Sequence, residues 1–218
     1  ALGKRMGIDT WKDAENYGLS ITLGSAEVQM TDMAEVYGTL PNGGERVDLN
    51  PILKITNYRG EVLEEKNAKG ERVIPESIAF IISHILSDNR SRSLEFGTNS
   101  VLNIPGHSVA VKTGTTDNKR DNWTIGYTKS FLVAVWVGNN DNSPMDPSLT
   151  SGITGAAPIW NRIITELLKD SKNEPFSPPS DIVQKPCFGR IEYFVKGSEN
   201  SVPCRPLSLT PVSPTPNP

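Results

Sequence analysis

Two cysteines and two histidines are all that this 218-residue chain contains. His84 and His107 are the only histidines available to join Cys187 and Cys204 around a metal. Neither has the spacing of a zinc ligand, so no metal site is expected. Long apolar runs are also missing. The longest, Phe131 to Val137, falls far short of the roughly 18 residues needed to cross a bilayer as a helix. Nor does one sign of charge dominate, with 22 Lys and Arg against 25 Asp and Glu and a net charge of -3. That balance excludes a strongly basic nucleic-acid binder, although not a local basic patch. The opening residues, Ala1 to Met6, lack the apolar core of a signal peptide. No internal repeat is visible.

What is present, roughly 200 residues of foldable chain once a Pro-rich C-terminal stretch is set aside, is enough for a sizeable core. Five prolines with Ser and Thr fill Arg205 to Pro218, a composition that predicts a disordered tail or linker. Thr31-Asp32 is a candidate N-cap for a helix through Tyr37 and Leu40, which Pro41-Asn42-Gly43-Gly44 would stop. A hairpin is expected from Ile52, Leu53 and Ile55 to Val62 and Leu63, turning at Asn57-Tyr58-Arg59-Gly60. From Pro75 to Ser87, Ile78, Ile81, Ile82, Ile85 and Leu86 recur at helical spacing and predict a buried stripe; His84 falls off it. Three strands follow, over 109–113, 123–127 and 131–137, the last two joined by the short loop Thr128-Lys129-Ser130. Phe131 to Val137 is apolar on both faces, which predicts a central strand covered on both sides. A last helix over 157–169 offers Ile159, Trp160, Ile163, Ile164, Leu167 and Leu168 as its cover. The order helix, antiparallel strands, helix predicts an α+β fold, an antiparallel sheet flanked by helices. Cys187 and Cys204 are either free thiols or, in an extracytoplasmic compartment, a disulfide.

The sharpest chemical signal is Lys112-Thr113-Gly114-Thr115, at the end of the strand that begins at Val109. The bland reading is a strand ending in a polar turn. The functional reading is a strand edge that an extended, carboxylate-bearing ligand pairs with through main-chain hydrogen bonds. Residues alternate across a strand, so Lys112 and Gly114 share one face and Thr113 and Thr115 the other. Lys112 can place a positive charge beside a nucleophile, and Gly114 removes the side chain that would block close approach. Threonine hydroxyls can hold a carboxylate, and the Thr115 N–H can point at a developing oxyanion. His107 and Asp141 are weaker candidates, a turn histidine and a polar-loop aspartate in their simpler readings.

Lys112-Thr113-Gly114 matches the K-T-G of the set S-x-x-K, S-D-N and K-T-G found in β-lactamases and penicillin-binding proteins. Its flanks sharpen the likeness: Arg120-Asp121-Asn122-Trp123, Gly126-Tyr127, Val135-Trp136-Val137-Gly138-Asn139, Gly155-Ala156-Ala157-Pro158-Ile159-Trp160 and Leu23-Gly24-Ser25-Ala26-Glu27-Val28. Together they resemble the C-terminal part of the transpeptidase domain of class A, bifunctional penicillin-binding proteins. The likeness covers residues 1–170; residues 171–204 read as a cysteine-bearing extension and 205–218 as the Pro-rich tail.

The resemblance implies the serine β-lactamase and penicillin-binding transpeptidase fold, incomplete at its N-terminus. It also implies peptidoglycan cross-linking without a cofactor. In that family a serine attacks the D-Ala-D-Ala terminus of a stem peptide, D-alanine leaves, and an amine of a neighbouring stem takes the acyl group. Penicillin and other β-lactams trap the serine. Carried over residue by residue, Lys112 is implied as catalytic and Thr113, Gly114 and Thr115 as substrate-binding. No S-x-x-K occurs in the chain, so the nucleophile and its lysine are expected in an upstream part of the same domain. The 218 residues alone are expected to be inactive. Ser87-Asp88-Asn89 matches the third motif, but its position only 23 residues before Lys112 predicts a helix terminus instead. The resemblance places the protein on the outer side of a bacterial plasma membrane, anchored by a segment outside this chain. A non-catalytic module that binds cell-wall peptide on the same strand edge is the alternative.

Overall fold

Alternating side chains over 110–138 build an antiparallel three-stranded sheet in the computed structural model, which describes residues 1–146 and 151–204. The strands are β5 (Ala110–Thr115), β6 (Asp121–Tyr127) and β7 (Leu132–Gly138), in the order β5-β6-β7. Thr128 closes the β6–β7 hairpin by donating its N–H to Phe131 O at 2.8 Å, as the short loop requires. Before the sheet come α1 (Leu2–Arg5), α2 (Met30–Gly38), α3 (Glu76–Ser87) and α4 (Asn89–Phe96), and after it α5 (Ala156–Leu168). The short strands β1 (Glu45–Arg46) and β4 (Glu71–Arg72) pair with each other, as do β2 (Lys54–Thr56) and β3 (Val62–Glu65). The β2–β3 hairpin turns at Gly60, whose φ of 83° suits glycine. The predicted α+β architecture is thus present.

The core lies between α5 and one face of the sheet. Val111, Val133 and Val135 meet Trp160, Ile164 and Leu168, with Leu102, Ile104 and Val109 closing one end. Gly126 makes this packing possible, because Trp160 lies where a side chain on residue 126 would be. The opposite face meets α2 and α3. There Tyr127, fully buried, lies 3.0 Å from the buried Ser83 hydroxyl and edge-on to Tyr37. Burial pushes both phenols up from their ordinary pKa.

Four expectations need correction. The strand over 131–137 is covered on both faces but is not central; among the described residues β7 is an outer strand and β6 the central one. An apolar run reports cover above and below a strand, not hydrogen-bonded neighbours on both edges. In α3 the isoleucine stripe is not the buried face. Ile78, Ile82 and Ile85 are 40%, 38% and 57% exposed, while Ser77, Ala79, Phe80 and Ser83 are buried. Small residues let the helix approach the sheet, and the Ser83 contact to Tyr127 satisfies the polar one. Likewise α5 buries Trp160, Ile164 and Leu168 but leaves Ile159, Ile163 and Leu167 outward. Finally, α2 starts before the proposed cap: Gln29 is the N-cap, and Asp32 is a buried first-turn residue accepting the Asp9 N–H at 3.3 Å.

Residues Pro178–Pro218 separate as a second unit from Ala1–Ser177. Its described part pairs β8 (Ile182–Cys187) with β9 (Arg190–Val195) around Phe188-Gly189, both at positive φ as a two-residue hairpin turn prefers. Cys187 and Cys204 form a disulfide with an S–S distance of 2.10 Å. The Pro-rich tail, 205–218, lies outside the described residues. No helix among the described residues is long and apolar enough to cross a membrane.

Candidate functional site

Lys112, Thr113, Gly114 and Thr115 form the last four residues of β5. This strand pairs with β6 alone among the described residues, so its other edge carries no strand partner. The register is Lys112↔Ile125, Thr113↔Thr124, Gly114↔Trp123 and Thr115↔Asn122. Just beyond it, Thr116 N–H donates to Asp121 O at 3.1 Å. Hydrogen-bonded and non-hydrogen-bonded pairs alternate along an antiparallel ladder. It follows that the main-chain groups of Thr113 and Thr115 turn away from β6, towards the open edge. The Lys112 ammonium donates to Thr113 O at 2.6 Å, which shows that carbonyl reachable from outside the sheet.

Lys112 and Gly114 lie on the α2–α3 side of the sheet, and Lys112 is exposed. A Cβ on Gly114 would meet nothing closer than Trp123 Cβ at 3.8 Å, an ordinary contact. The fold therefore does not itself require glycine at 114; open space over the strand is what it leaves there.

Thr113 and Thr115 face the α5 side, as do their cross-strand neighbours Thr124 and Asn122. The Thr115 hydroxyl accepts the Gly152 N–H at 3.0 Å, which leaves its own proton to donate. Asn122, fully buried, accepts the Ala156 N–H at 2.9 Å at the start of α5. Asn122, Thr124 and Gly152 are not among the sequence-predicted site residues, and Asn122 enters there only within the flank Arg120-Asp121-Asn122-Trp123. The one available signal was polar side chains at strand positions where the same face carries valines at 111, 133 and 135.

The remaining candidates lie apart. His107 sits in a turn, donating its N–H to Ile104 O at 3.2 Å, at the opposite end of β5. It lines an open cavity of about 250 Å³ with Thr128, Ser130 and Asn173. Ser87-Asp88-Asn89 is a helix junction: α3 ends at Ser87, and Asp88 caps α4 by accepting the Arg90 and Ser91 N–H groups. Asp141 lies on the exposed loop after β7, at the Thr115 end of the sheet. Hydrogen bonds from the Ser143 side chain and backbone hold its carboxyl below the usual range. No group of three or more metal-ligating side chains occurs among the described residues.

Comparison with known proteins agrees with this architecture. The family model for the penicillin binding protein transpeptidase domain matches residues 2–165. Penicillin-binding protein 1A of Aquifex aeolicus (strain VF5) is 31% identical over 219 residues, covering 95% of this chain and 29% of that protein. The crystal structure of penicillin-binding protein 1A from Haemophilus influenzae superimposes with a TM-score of 0.78 at 24% identity, over 93% of this chain and 36% of that one. The structure of penicillin-binding protein PonA1 from Mycobacterium tuberculosis gives a TM-score of 0.65 at 26% identity, over 82% and 50%. The chain thus spans half or less of each relative. It belongs to the penicillin-binding protein transpeptidase family, with class A members as its relatives and an antiparallel sheet between helices as its shared fold.

Proposed function

We propose that this chain supplies the K-T-G wall of a serine D,D-transpeptidase that cross-links peptidoglycan stem peptides and is acylated by β-lactams. The observation that carries the proposal is the open edge of β5, with Thr113 and Thr115 main-chain groups turned outward beside an exposed lysine. An extended peptide ending in a carboxylate pairs along that edge, Gly114 leaves room for its backbone, and the Thr115 hydroxyl donates to its carboxylate. The Thr115 N–H lies where it stabilises an oxyanion formed from the scissile carbonyl. Lys112 places a positive charge next to that carbonyl and the attacking hydroxyl.

The nucleophile is assigned to a serine outside the 218 residues, since none here has a lysine three positions on. Support comes from the relatives, of which the chain spans 29% to 50%. The cysteine pair fits an oxidising, extracytoplasmic site, with the membrane anchor placed outside the chain. Residues 1–170 are assigned to the transpeptidase domain, 171–204 to the extension and 205–218 to the tail.

The missing S-x-x-K also favours a second reading, a module that binds cell-wall peptide without chemistry. Fluorescent penicillin separates the two. The longer protein that carries this sequence should form a covalent adduct, while the 218-residue chain should form none. No adduct on the long protein contradicts the transpeptidase assignment; an adduct on the short chain contradicts the assignment of the nucleophile to a serine outside it.

A further inference from the structure

The face of the sheet under α5 changes character along its length. Near Trp160 it is valine, at 111, 133 and 135; at the K-T-G end it is Thr113, Thr115, Asn122 and Thr124. Asn122 and Thr124 are fully buried, and burying such groups is unfavourable unless each is hydrogen-bonded. Both accept from or donate to main-chain atoms of one short segment, 151–156, and the Asn122 amide also donates to Met145 Sδ at 3.9 Å. Gly152 uses both its backbone groups: its N–H donates to Thr115 Oγ1 at 3.0 Å, and its carbonyl accepts from Thr124 Oγ1 at 3.3 Å as well as from the Ala157 N–H of α5 at 2.7 Å. Asn122 Oδ1 holds the next stretch through the Ala156 N–H at 2.9 Å.

The approach is also close. A Cβ on Gly152 would stand 2.9 Å from Thr113 Cβ, 2.9 Å from Trp123 O and 3.2 Å from Gly114 O. Two of these are backbone oxygens that cannot rotate aside. A Cβ on Gly155 would strike Asn122, with Oδ1 at 2.7 Å. Glycine is required at 152 by the backbone beneath it, whereas a side chain at 155 would displace the buried Asn122 amide.

We infer that Gly152, held by Thr124, is a positioning residue: it clamps the K-T-G strand from behind and fixes the height of Gly114 and Thr115 at the open edge. The inference rests on the reading of that edge as the ligand wall. It adds that this wall depends on a segment 37 residues beyond Thr115. By accepting the Gly152 N–H, the Thr115 hydroxyl is oriented with its proton turned away from the clamp. Small displacements of such donors are costly in acyl transfer.

The test uses Thr124, which touches no ligand in this scheme. Thr124→Val keeps the shape and removes the donor to Gly152; Thr124→Ser keeps the donor. In the longer protein, Thr124→Val should acylate with fluorescent penicillin up to about tenfold more slowly, the effect of losing one buried hydrogen bond from the sheet to a carbonyl that still accepts the Ala157 N–H. Thr124→Ser should stay within about twofold of wild type. Gly152→Ala, a second route to the same displacement, should slow acylation at least as much as Thr124→Val.

Amide exchange of the 218-residue chain supplies a readout that does not depend on acylation. Peptides covering 110–116 should exchange faster in Thr124→Val and not in Thr124→Ser, while α5 keeps its protection. Equal rates and equal exchange in wild type and Thr124→Val overturn the clamp, as does Thr124→Ser falling as far as valine. If the wild-type longer protein forms no penicillin adduct, the transpeptidase assignment fails. The clamp is then judged by exchange alone, and unchanged protection over 110–116 refutes it.

Discussion

Gly126→Ala tests the packing that sets the sheet against α5. Gly126 lies on β6 with Trp160, fully buried, directly over it; an added Cβ would stand 2.8 Å from indole Cε2 and 2.9 Å from Nε1. Carbon pairs pack best at about 3.5 to 4.0 Å, so the methyl overlaps a ring that has no empty space to enter. Overpacking of this kind costs about 1 to 3 kcal/mol. The backbone at 126 is not in the left-handed region, so alanine also reduces unfolded-state entropy, a gain of about 0.4 to 1 kcal/mol. The expected net loss is about 1 to 2 kcal/mol, or a Tm lower by roughly 2 to 8 °C for a chain of this size.

Trp160→Phe shrinks the ring and removes an indole N–H that has no partner. The double variant should therefore lose less than the sum of the two single losses, by about 1 kcal/mol. Urea unfolding followed by tryptophan fluorescence reports the right unit, since Trp11, Trp123, Trp136 and Trp160 all lie within Ala1–Ser177. A Gly126→Ala variant as stable as wild type, or strictly additive losses, would refute the packing argument.

Three further outcomes are expected. Tyr127 is raised by burial above its ordinary pKa of 10.0, so above that pH the unfolded chain releases a proton that the folded chain keeps. Stability should be insensitive to this group below pH 10 and then fall, through it, by about 1.4 kcal/mol per pH unit; Tyr127→Phe should reduce the slope of that limb in denaturation measured from pH 8 to 11, leaving the share of Tyr37, which burial also raises. Reducing the Cys187–Cys204 bridge, which closes a sequence separation of 17, should destabilise the β8–β9 hairpin by about 3 kcal/mol, read as faster amide exchange over 182–195. Asp88→Ala removes the acceptor for the Arg90 and Ser91 N–H groups at the start of α4 and should cost about 1 kcal/mol, measured by urea unfolding.

The sheet was legible because its signal is local: short β-prone runs bounded by turn residues mark β5, β6 and β7, the last as an uninterrupted apolar stretch, and K-T-G closes the first of them. The buried face of α3 was not, because the Ile78, Ile82 and Ile85 stripe outweighs Ser77 and Ser83 by hydrophobicity. Only the tertiary partner Tyr127 shows why Ser83 faces inward. Helix α4, Asn-Arg-Ser-Arg-Ser-Leu-Glu-Phe, has no apolar stripe; the Asp88 cap marks its start. Gly152 was unreadable for a different reason. Its need for glycine is imposed by Thr113, Gly114 and Trp123, which reach it only through the folded sheet.

The central claim is that Lys112 acts at the open edge of β5. Its most direct test is the rate at which fluorescent penicillin acylates the longer protein carrying Lys112→Ala, with Tm measured on the same sample. Lys112 is exposed, and its ammonium bonds to Thr113 O within its own strand, so Tm should be unchanged. The acylation rate should fall by about a hundredfold or more, as for loss of a preorganised electrostatic contact to the transition state. An unchanged rate in a folded variant would remove Lys112 from the mechanism and with it the assignment of this edge.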